Sequence, residues 1–506
     1  MKLKGREKIY TDVPEITMSN VIDIVRYAYE NKHLKNAREI KFLLDYDAGI
    51  QPIIREKVIR PDINIECVDN IANQISKYHI SSHWGNGISV TQRGDKVSKK
   101  NEPEAIKLLN EYYDCENIKA KTQELGRYVE ISGVGYTYVD VNTNVVDGDS
   151  YFKVNVLNPL FTFIIFSSYY VDNRPMLAVT FRTDEDGILY FTCFSDKQRF
   201  CFSSKEWKHT EGSGYINLMG IIPVVEWIRD YDRMGCFERQ VSEMDNLNLL
   251  LSDYSNSVEQ QVQAIWHCND VDFEEEEIID PDGKKITVVK KPKSNDWLQT
   301  YTTQEGRAPF VKPLAVTTDY VGQLNNINAC RSRILEECYV PQRNDNSGGS
   351  TGTATSMATG LEAFERVSEV QHSIMEVCKM QELKVVLRAI NTSTSIEQSN
   401  PLLKLKLIDI KPSIKQRKTS ELTTKVNAFA TLVSHGVTGL HSLEATDIFE
   451  DIQQVWEDSK PLIEQYQDSI FNKTEKIDVE DRISQDKSDQ KENSPFEDGV
   501  KTNQNS

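Results

Sequence analysis

Four clusters in the chain hold residue types capable of chemistry, at spacings that decide whether they can use it. Gly348-Gly-Ser-Thr-Gly352 has the small residues of a phosphate-cradling loop. It lacks the lysine of a P-loop and follows a helical pattern where a P-loop follows a strand, so nucleotide binding is not expected there. Cys67, His79 and His83 offer two spacings that zinc could use, yet no second cysteine lies near Cys67. The expectation is a partly buried thiol and two surface histidines. Cys330 and Cys338 stand about two helical turns apart without a companion pair, and they read as packing positions. The run Glu274, Glu275, Glu276 and Glu277 reads as a charged rim rather than a two-metal centre, because carboxylate pairs arise by chance in a chain with 77 Asp and Glu. No catalytic residue, cofactor or metal ligand is therefore expected, and the chain does not read as an enzyme.

The elements around these clusters are long. Apolar residues at Phe237, Val241, Met244, Leu247, Leu251, Tyr254, Val258, Val262 and Ile265 recur three and four apart, which predicts a helix from Phe237 to Trp266 spanning roughly 45 Å. A second helix is predicted from Asp319 to Tyr339, with Val321, Leu324, Ile327, Ile334, Leu335 and Cys338 on one face. A third begins near Ala354 and continues through Phe364, Val367, Val370, Ile374, Val377 and Leu387, with Gly360 a candidate bend. Between the second and third, Pro341 to Gly352 is too rich in Gly, Ser, Asn and Asp to be a regular element.

The front half changes period. Helical spacing over Val21 to Asn31, Asn36 to Leu44, Asn64 to Ser82 and twice between Pro103 and Gly133 gives way, after Gly133 and Gly135, to strand-like alternation as far as Trp227. Residues 1 to 20 read as an ordered arm at best. Pro159 to Tyr170 is the most apolar stretch; at well under the roughly 20 residues of a membrane helix it reads as a buried strand. The fold class is therefore α+β with a largely antiparallel sheet. After Pro401 the pattern predicts a short strand over Leu402 to Ile410, then helices over Gln416 to His435, Ser442 to Phe449 and Asp451 to Ser469. From Asn472 onward the chain is charged, aromatic-poor and expected to be disordered.

Inside the excursion between the first two long helices, Phe273 to Ile279 and Lys284 to Lys291 flank Asp280-Pro-Asp-Gly283, a hairpin signal. The acidic strand is expected to face Lys284, Lys285, Lys290 and Lys291, with opposite charges helping to set the register.

Composition narrows the function. The chain has 506 residues, 39% of them hydrophobic, enough for two or three domains with lean cores that suit burial between subunits. A net charge of -18 argues against tight, sequence-independent adhesion to nucleic acid or anionic membrane. Nine cysteines and no charged-then-apolar leader at the start read as reduced thiols in a cytoplasmic setting.

Several motifs, in the same order and spread from about Tyr46 to Tyr466, make the chain resemble the portal proteins of tailed double-stranded DNA bacteriophages, the siphophage-type head-to-tail connector family. They are Gly133-Val-Gly-Tyr136, Leu157-Asn-Pro159, Arg233-Met-Gly-Cys-Phe-Glu238, Asp245-Asn-Leu-Asn248, Ser252-Asp253, Val258-Glu-Gln-Gln-Val-Gln263, Ser350-Thr-Gly-Thr-Ala354 and Asp451-Ile-Gln-Gln454. Arg233, Gly235, Phe237 and Glu238 look like the family's entry to the stem helix.

The resemblance implies a homo-oligomeric ring, typically of twelve subunits, at one capsid vertex. A central channel would pass double-stranded DNA without sequence specificity. Partners would be the terminase large subunit, head-tail adaptor proteins, and the major capsid and scaffolding proteins, with no membrane. The location would be the virion, and the host cytoplasm during assembly. By the same resemblance the wing is residues 1–236 with part of 354–411, the stem 237–266 and 319–339, the clip 267–318 and the crown 415–471. The tunnel loop is 340–353, with Arg343, Asn344, Asp345, Asn346, Ser347, Gly348, Gly349, Ser350, Thr351 and Gly352 facing DNA.

Two departures stand out: His83-Trp-Gly-Asn-Gly87 matches only loosely, and Arg343 is the loop's one cation, with Asp345 beside it, so a strongly basic clamp is not expected. A conduit needs weak, exchangeable phosphate contacts, which an acidic chain with short polar loops suits. A nucleic-acid-processing enzyme would show a P-loop or a compact carboxylate–histidine constellation, and a coiled-coil scaffold would show sustained heptads. The sequence displays none of these.

Overall fold

The computed structural model describes residues 3–53, 63–92, 102–146, 148–262, 265–269, 275–279, 285–289, 310–314, 319–342, 350–414, 422–446, 448–449, 452, 455–456 and 459–462. The fold is mixed helix and sheet, an α+β arrangement as the period change predicts.

The chain opens with strand β1 (Ile9–Thr11) and helix α1 (Val21–Ala28). A π-helical turn, Tyr29–His33, joins α1 to α2 (Leu34–Asp47), so the expected break between two short helices is instead a widened turn within one continuous rod. Helix α3 (Ile71–His83) starts later than expected, with Asn70 accepting the Asn73 N–H as its N-cap. Then come β2 (Ile88–Gln92), α4 (Glu102–Cys115) and α5 (Ile118–Ser132). Gly133 ends α5 at φ +77°, a left-handed cap that turns the chain directly into β3 (Val134–Val141).

Strands β4 (Phe152–Leu157), β5 (Thr162–Ser167), β6 (Pro175–Thr183), β7 (Leu189–Phe194), β8 (Gln198–Ser203), β9 (Lys208–His209), β10 (Tyr215–Ile216) and β11 (Val224–Ile228) complete the front half. They form two sheets. The larger runs β1-β5-β6-β7-β8-β10, with β9 added to β8, and the smaller runs β11-β3-β4. Pairing is antiparallel except that β1 lies parallel to β5, so the expected polar arm closes a sheet edge. The stretch Pro159 to Tyr170 does contain a strand, β5, buried along most of its length.

The helix expected from Phe237 is shorter at both ends. A 3-10 turn, Glu238–Gln240, precedes α6 (Val241–Val262), whose 22 residues span about 33 Å. Ile265 and Trp266 belong to β12 (Ile265–Asn269), where β-branched and aromatic side chains favour a strand. Strands β13 (Glu275–Ile279) and β14 (Lys285–Val289) make the expected hairpin, and β15 (Phe310–Leu314) pairs antiparallel with β12. Helix α7 (Tyr320–Glu337) returns along α6 in the opposite direction. Tyr320 donates to Ser257 O near one end at 3.3 Å, Arg333 pairs with Glu243, and Gln240 meets Glu337 at the other end.

Helix α8 (Ser350–Thr392) is 43 residues long, about 65 Å, and runs through Gly360 without interruption. Its second half lies against the smaller sheet, where Leu383, Val386 and Ile390 share a core with Trp84, Phe152 and Trp227. The strand expected over Leu402 to Ile410 is not formed. Pro401 begins a 3-10 turn, Asn400 Oδ1 accepts the Leu402 N–H at 3.0 Å, and a second 3-10 turn, Leu407–Asp409, follows. The strand comes afterwards as β16 (Ile410–Ile414), antiparallel to β2. Helices α9 (Leu422–Ser434) and α10 (Gly439–Thr446) follow. The tail from Asn472 lies outside the described residues.

Candidate functional site: the stem–wing junction

The motifs that look like a stem entry meet in space with the glycine turn of the front half. Gly133 and Gly235, about a hundred positions apart in the chain, sit back to back. A Cβ at Gly133 would stand 2.4 Å from Arg233 O, and one at Gly235 would stand 2.1 Å from Ile131 O. Neither gap admits a side chain, so both glycines are required by close backbone approach. The Cys236 N–H donates to Glu130 O at 2.7 Å and the Arg229 N–H to Gly133 O at 3.1 Å, stitching the two segments together.

Each polar residue of the entry motif is held by a partner from the front half. Arg233, at φ +59°, aims a bidentate pair at Glu226, Nη1 to Oε2 at 2.7 Å and Nη2 to Oε1 at 2.8 Å. Tyr136 O–H donates to the same carboxylate at 3.0 Å. Glu238 Oε2 accepts the Gly235 N–H at 2.8 Å, which closes the 3-10 turn before α6. Phe237, fully buried, packs with Tyr46, Ile71, Met244 and Ile334. Phe237 therefore anchors the turn that leads into α6 rather than starting a helix.

The residue that completes this turn comes from the expected arm. Arg6, 2% exposed, places Nη2 between Glu39 Oε2 at 3.0 Å and Glu238 Oε1, while Nη1 donates to Ser132 O at 2.9 Å. One guanidinium thus joins α2, α5 and the stem entry. Sequence reading misses it, because nothing local distinguishes Arg6 from the lysines beside it.

A second buried network surrounds Glu130. His83 Nδ1 lies 3.1 Å from Oε1, Trp84 Nε1 donates to the same oxygen at 3.0 Å, Gln371 Nε2 also reaches it, and Arg229 Nε donates to Oε2 at 3.0 Å. Burial alone would raise the Glu130 carboxyl; a proton on His83 Nδ1, together with the Arg229 charge, holds it below the ordinary carboxylate range. His79 and His83 are each 1% exposed, contrary to the expected surface position. Ile71, Ile75, His79 and His83 follow one another at four-residue steps on the buried face of α3, which brings the two rings against Glu130 of α5 and Ser368 of α8. Cys67 is half-buried as expected, with Sγ 3.3 Å from Ser255 Oγ.

Along α6 the polar residues of the stem motifs have a structural task. Asn248, Ser252 and Asn256, one turn apart, hold the extended segment that precedes α3. Asn248 Oδ1 accepts from Asp69 N, Ser252 Oγ from Cys67 N and Asn256 Oδ1 from Ile65 N, each at 2.9 Å. Four helical residues advance about 6.0 Å and two extended residues about 6.6 Å, so the two rows stay in step over three contacts. Asp245 accepts from Tyr46 O–H at 2.8 Å.

The remaining predicted site residues fall into two groups. In the hairpin, Glu275, Glu276 and Glu277 stand opposite Val289, Val288 and Thr287, and Lys285 opposite Ile279. The acidic strand therefore does not face lysines residue for residue, and Ile278 stands opposite Ile286. Glu274, Lys284, Lys290 and Lys291 lie outside the described residues. Arg343, Asn344, Asp345, Asn346, Ser347, Gly348 and Gly349 also lie outside them. Ser350, Thr351 and Gly352, expected in the loop, belong to the first turn of α8, where Ser is tolerated and one Gly costs only about 1 kcal/mol. Among the described residues no helix is long and apolar enough to cross a membrane.

The structure is similar to a chain of a solved assembly described as "Virion of native gene transfer agent (GTA) particle", at 10% identity and a TM-score of 0.41, covering 82% of this chain and 94% of that one. No curated protein matches the chain. The family model described as "Phage portal protein, SPP1 Gp6-like" matches residues 25–444, which include both glycine turns, α6, α7 and most of the helices that follow. The chain belongs to the phage portal protein family and has that family's structural role in the capsid.

Proposed function

We propose that the chain works as a closed ring, of twelve copies by the family resemblance, whose axial channel passes double-stranded DNA during packaging and ejection. In this reading α6 and α7 are the stem, β12 to β15 with their connections the clip, residues 340–349 and the start of α8 the tunnel loop, and the segment from 415 the crown. The observation that carries it is the family match over residues 25–444, joined to the antiparallel helix pair α6 and α7 and the β12–β15 pairing between them in the chain. Val321 and Leu324 on α7, and Val370 and Val377 on α8, are exposed apolar residues of the kind that neighbours in a ring would cover.

The clip hairpin is the proposed contact for the terminase large subunit and then for head-tail adaptors; major capsid and scaffolding proteins would surround the wing. Ser347, Gly348 and Gly349 would give the loop the conformational freedom to adjust to a duplex whose helical repeat does not match the ring. The test is a packaging assay with the double variant Gly348→Pro, Gly349→Pro. Assembled rings that package or retain DNA poorly support the reading, and normal packaging by stiffened loops removes it.

A further inference from the structure

Among the described residues, His79, His83 and Glu130 are the one group of three potential ligands in which a ring nitrogen of each histidine and a carboxylate oxygen all lie within 4.8 Å of one another, and all three residues are buried. The two histidines are four apart on one face of α3, the spacing that lets a helix offer both rings to a single ion, and the carboxylate comes from α5.

The hydrogen bonds around the rings leave one unprotonated nitrogen on each histidine. His79 Nε2 lies 2.9 Å from the Cys338 carbonyl, which can only accept, so that nitrogen carries the proton. His79 Nδ1 is then an unprotonated lone pair, buried and without a hydrogen-bond partner. Ser368 Oγ directs its own hydrogen to Phe364 O at 2.7 Å, so it accepts from His83 Nε2 at 3.0 Å. In that tautomer His83 Nδ1 presents a second lone pair to Glu130 Oε1 at 3.1 Å. Two acceptors at that separation repel unless a proton or a metal ion stands between them.

Ligating histidines commonly anchor the far nitrogen on a carbonyl or hydroxyl in this way, which fixes the ring orientation. A tetrahedral zinc site with bonds of about 2.0–2.1 Å has ligand–ligand edges of about 3.3 Å, close to the His83–Glu130 separation. His372 on α8 adds a half-buried ring 5.3 Å from His83, and its Nε2 also lacks a partner. Arg229, Trp84 and Gln371 would orient the carboxylate from outside.

We propose that His79, His83 and Glu130 bind a divalent cation of the zinc class, with His372 or water as fourth ligand. The ion would tie α3 to α5 and, through the Cys338 carbonyl held by His79, to the end of the stem helix α7. It would be structural, since all three ligands are buried.

The test equilibrates the full-length protein with Zn2+, removes free metal by gel filtration and measures bound metal. A parallel sample carries Co2+ for its visible spectrum. The expected result is Zn2+ stoichiometric with the chain, intense tetrahedral Co2+ bands, and a higher unfolding midpoint in Zn2+ than in EDTA. His79→Phe, which keeps the ring volume, should abolish stoichiometric binding while circular dichroism stays native. If that variant fails to fold, the wild-type comparison of Zn2+ with EDTA decides. Wild-type protein that retains no stoichiometric metal and unfolds at the same midpoint in both overturns the proposal and leaves a proton between His83 and Glu130. Stoichiometric metal that survives both His79→Phe and His83→Phe overturns it too, because the ion would then lie elsewhere.

Discussion

Asn256 and Ile65, 191 positions apart, exchange two hydrogen bonds as two paired strand residues would: Asn256 Oδ1 accepts the Ile65 N–H and Asn256 Nδ2 donates to Ile65 O, both at 2.9 Å. A side chain on α6 thus serves as the pairing partner of an extended backbone. Replacing it with alanine leaves a half-buried N–H and C=O without those bonds, a loss of about 1–3 kcal/mol. Asn256→Ala should speed amide exchange over residues 63–69 while leaving the larger sheet protected. Unchanged exchange there would mean that Asn248 and Ser252 hold the segment without Asn256.

At Gly235 the prediction is steeper. A Cβ 2.1 Å from Ile131 O cannot be accommodated by rotating a side chain, because the obstacle is backbone. Gly235→Ala should cost several kcal/mol, at or beyond the range of about 3–5 kcal/mol seen for severe single substitutions. Gly187→Ala is the control: φ is +77° but nothing lies within 4 Å, so only backbone strain of roughly 1–2 kcal/mol applies. Thermal unfolding of the pair measures the difference, and equal shifts would show that the close approach relaxes.

Arg6 stands between Glu39 and Glu238, all three nearly excluded from solvent. Removing the guanidinium leaves two carboxylates facing each other without a counter-charge, which typically costs about 3–5 kcal/mol. Arg6→Met should therefore destabilise the junction strongly, and Arg6→Met with Glu39→Gln should recover part of the loss. No recovery in the double variant, measured by denaturant unfolding, would show that the cost is packing and not charge.

The long helices are legible because their apolar residues repeat over many turns; α7 and α8 begin within a few residues of where spacing places them. The junction is not legible. Arg6 finds Glu238 across 232 positions, and no local pattern announces so distant a partner. The start of α3 was hidden as well: apolar Ile65 and Val68 extend the helical spacing backwards, but that segment is pinned to α6 as extended chain, and the helix begins at Ile71. The alternation in Leu402 to Ile410 imitates a strand for a similar reason. The cap from Asn400 and the fixed φ of Pro401 close 3-10 turns there first.

Stability should fall in mild acid. His33 lies between α1 and α2, stacks on Phe163 at 4.4 Å and is held at a pKa of about 4, against an ordinary 6.5, because burial disfavours its charged form more than the Leu160 carbonyl favours it. Between those values the unfolded chain binds a proton that the native chain refuses. The contribution is therefore complete above about pH 6.5 and lost as pH falls toward 4, by roughly 3 kcal/mol in all. His33→Gln should reduce the slope of stability against pH in that window without abolishing it, since burial also holds His372 at about 4. An unchanged slope would show that His33 is not a source of the acid sensitivity.

The central claim is the ring, and electron microscopy of the purified full-length protein in negative stain tests it most directly. Class averages should show closed, radially symmetric particles with an axial hole, formed from many copies of this one chain. A homogeneous field of globular monomers, or of filaments, would contradict the account.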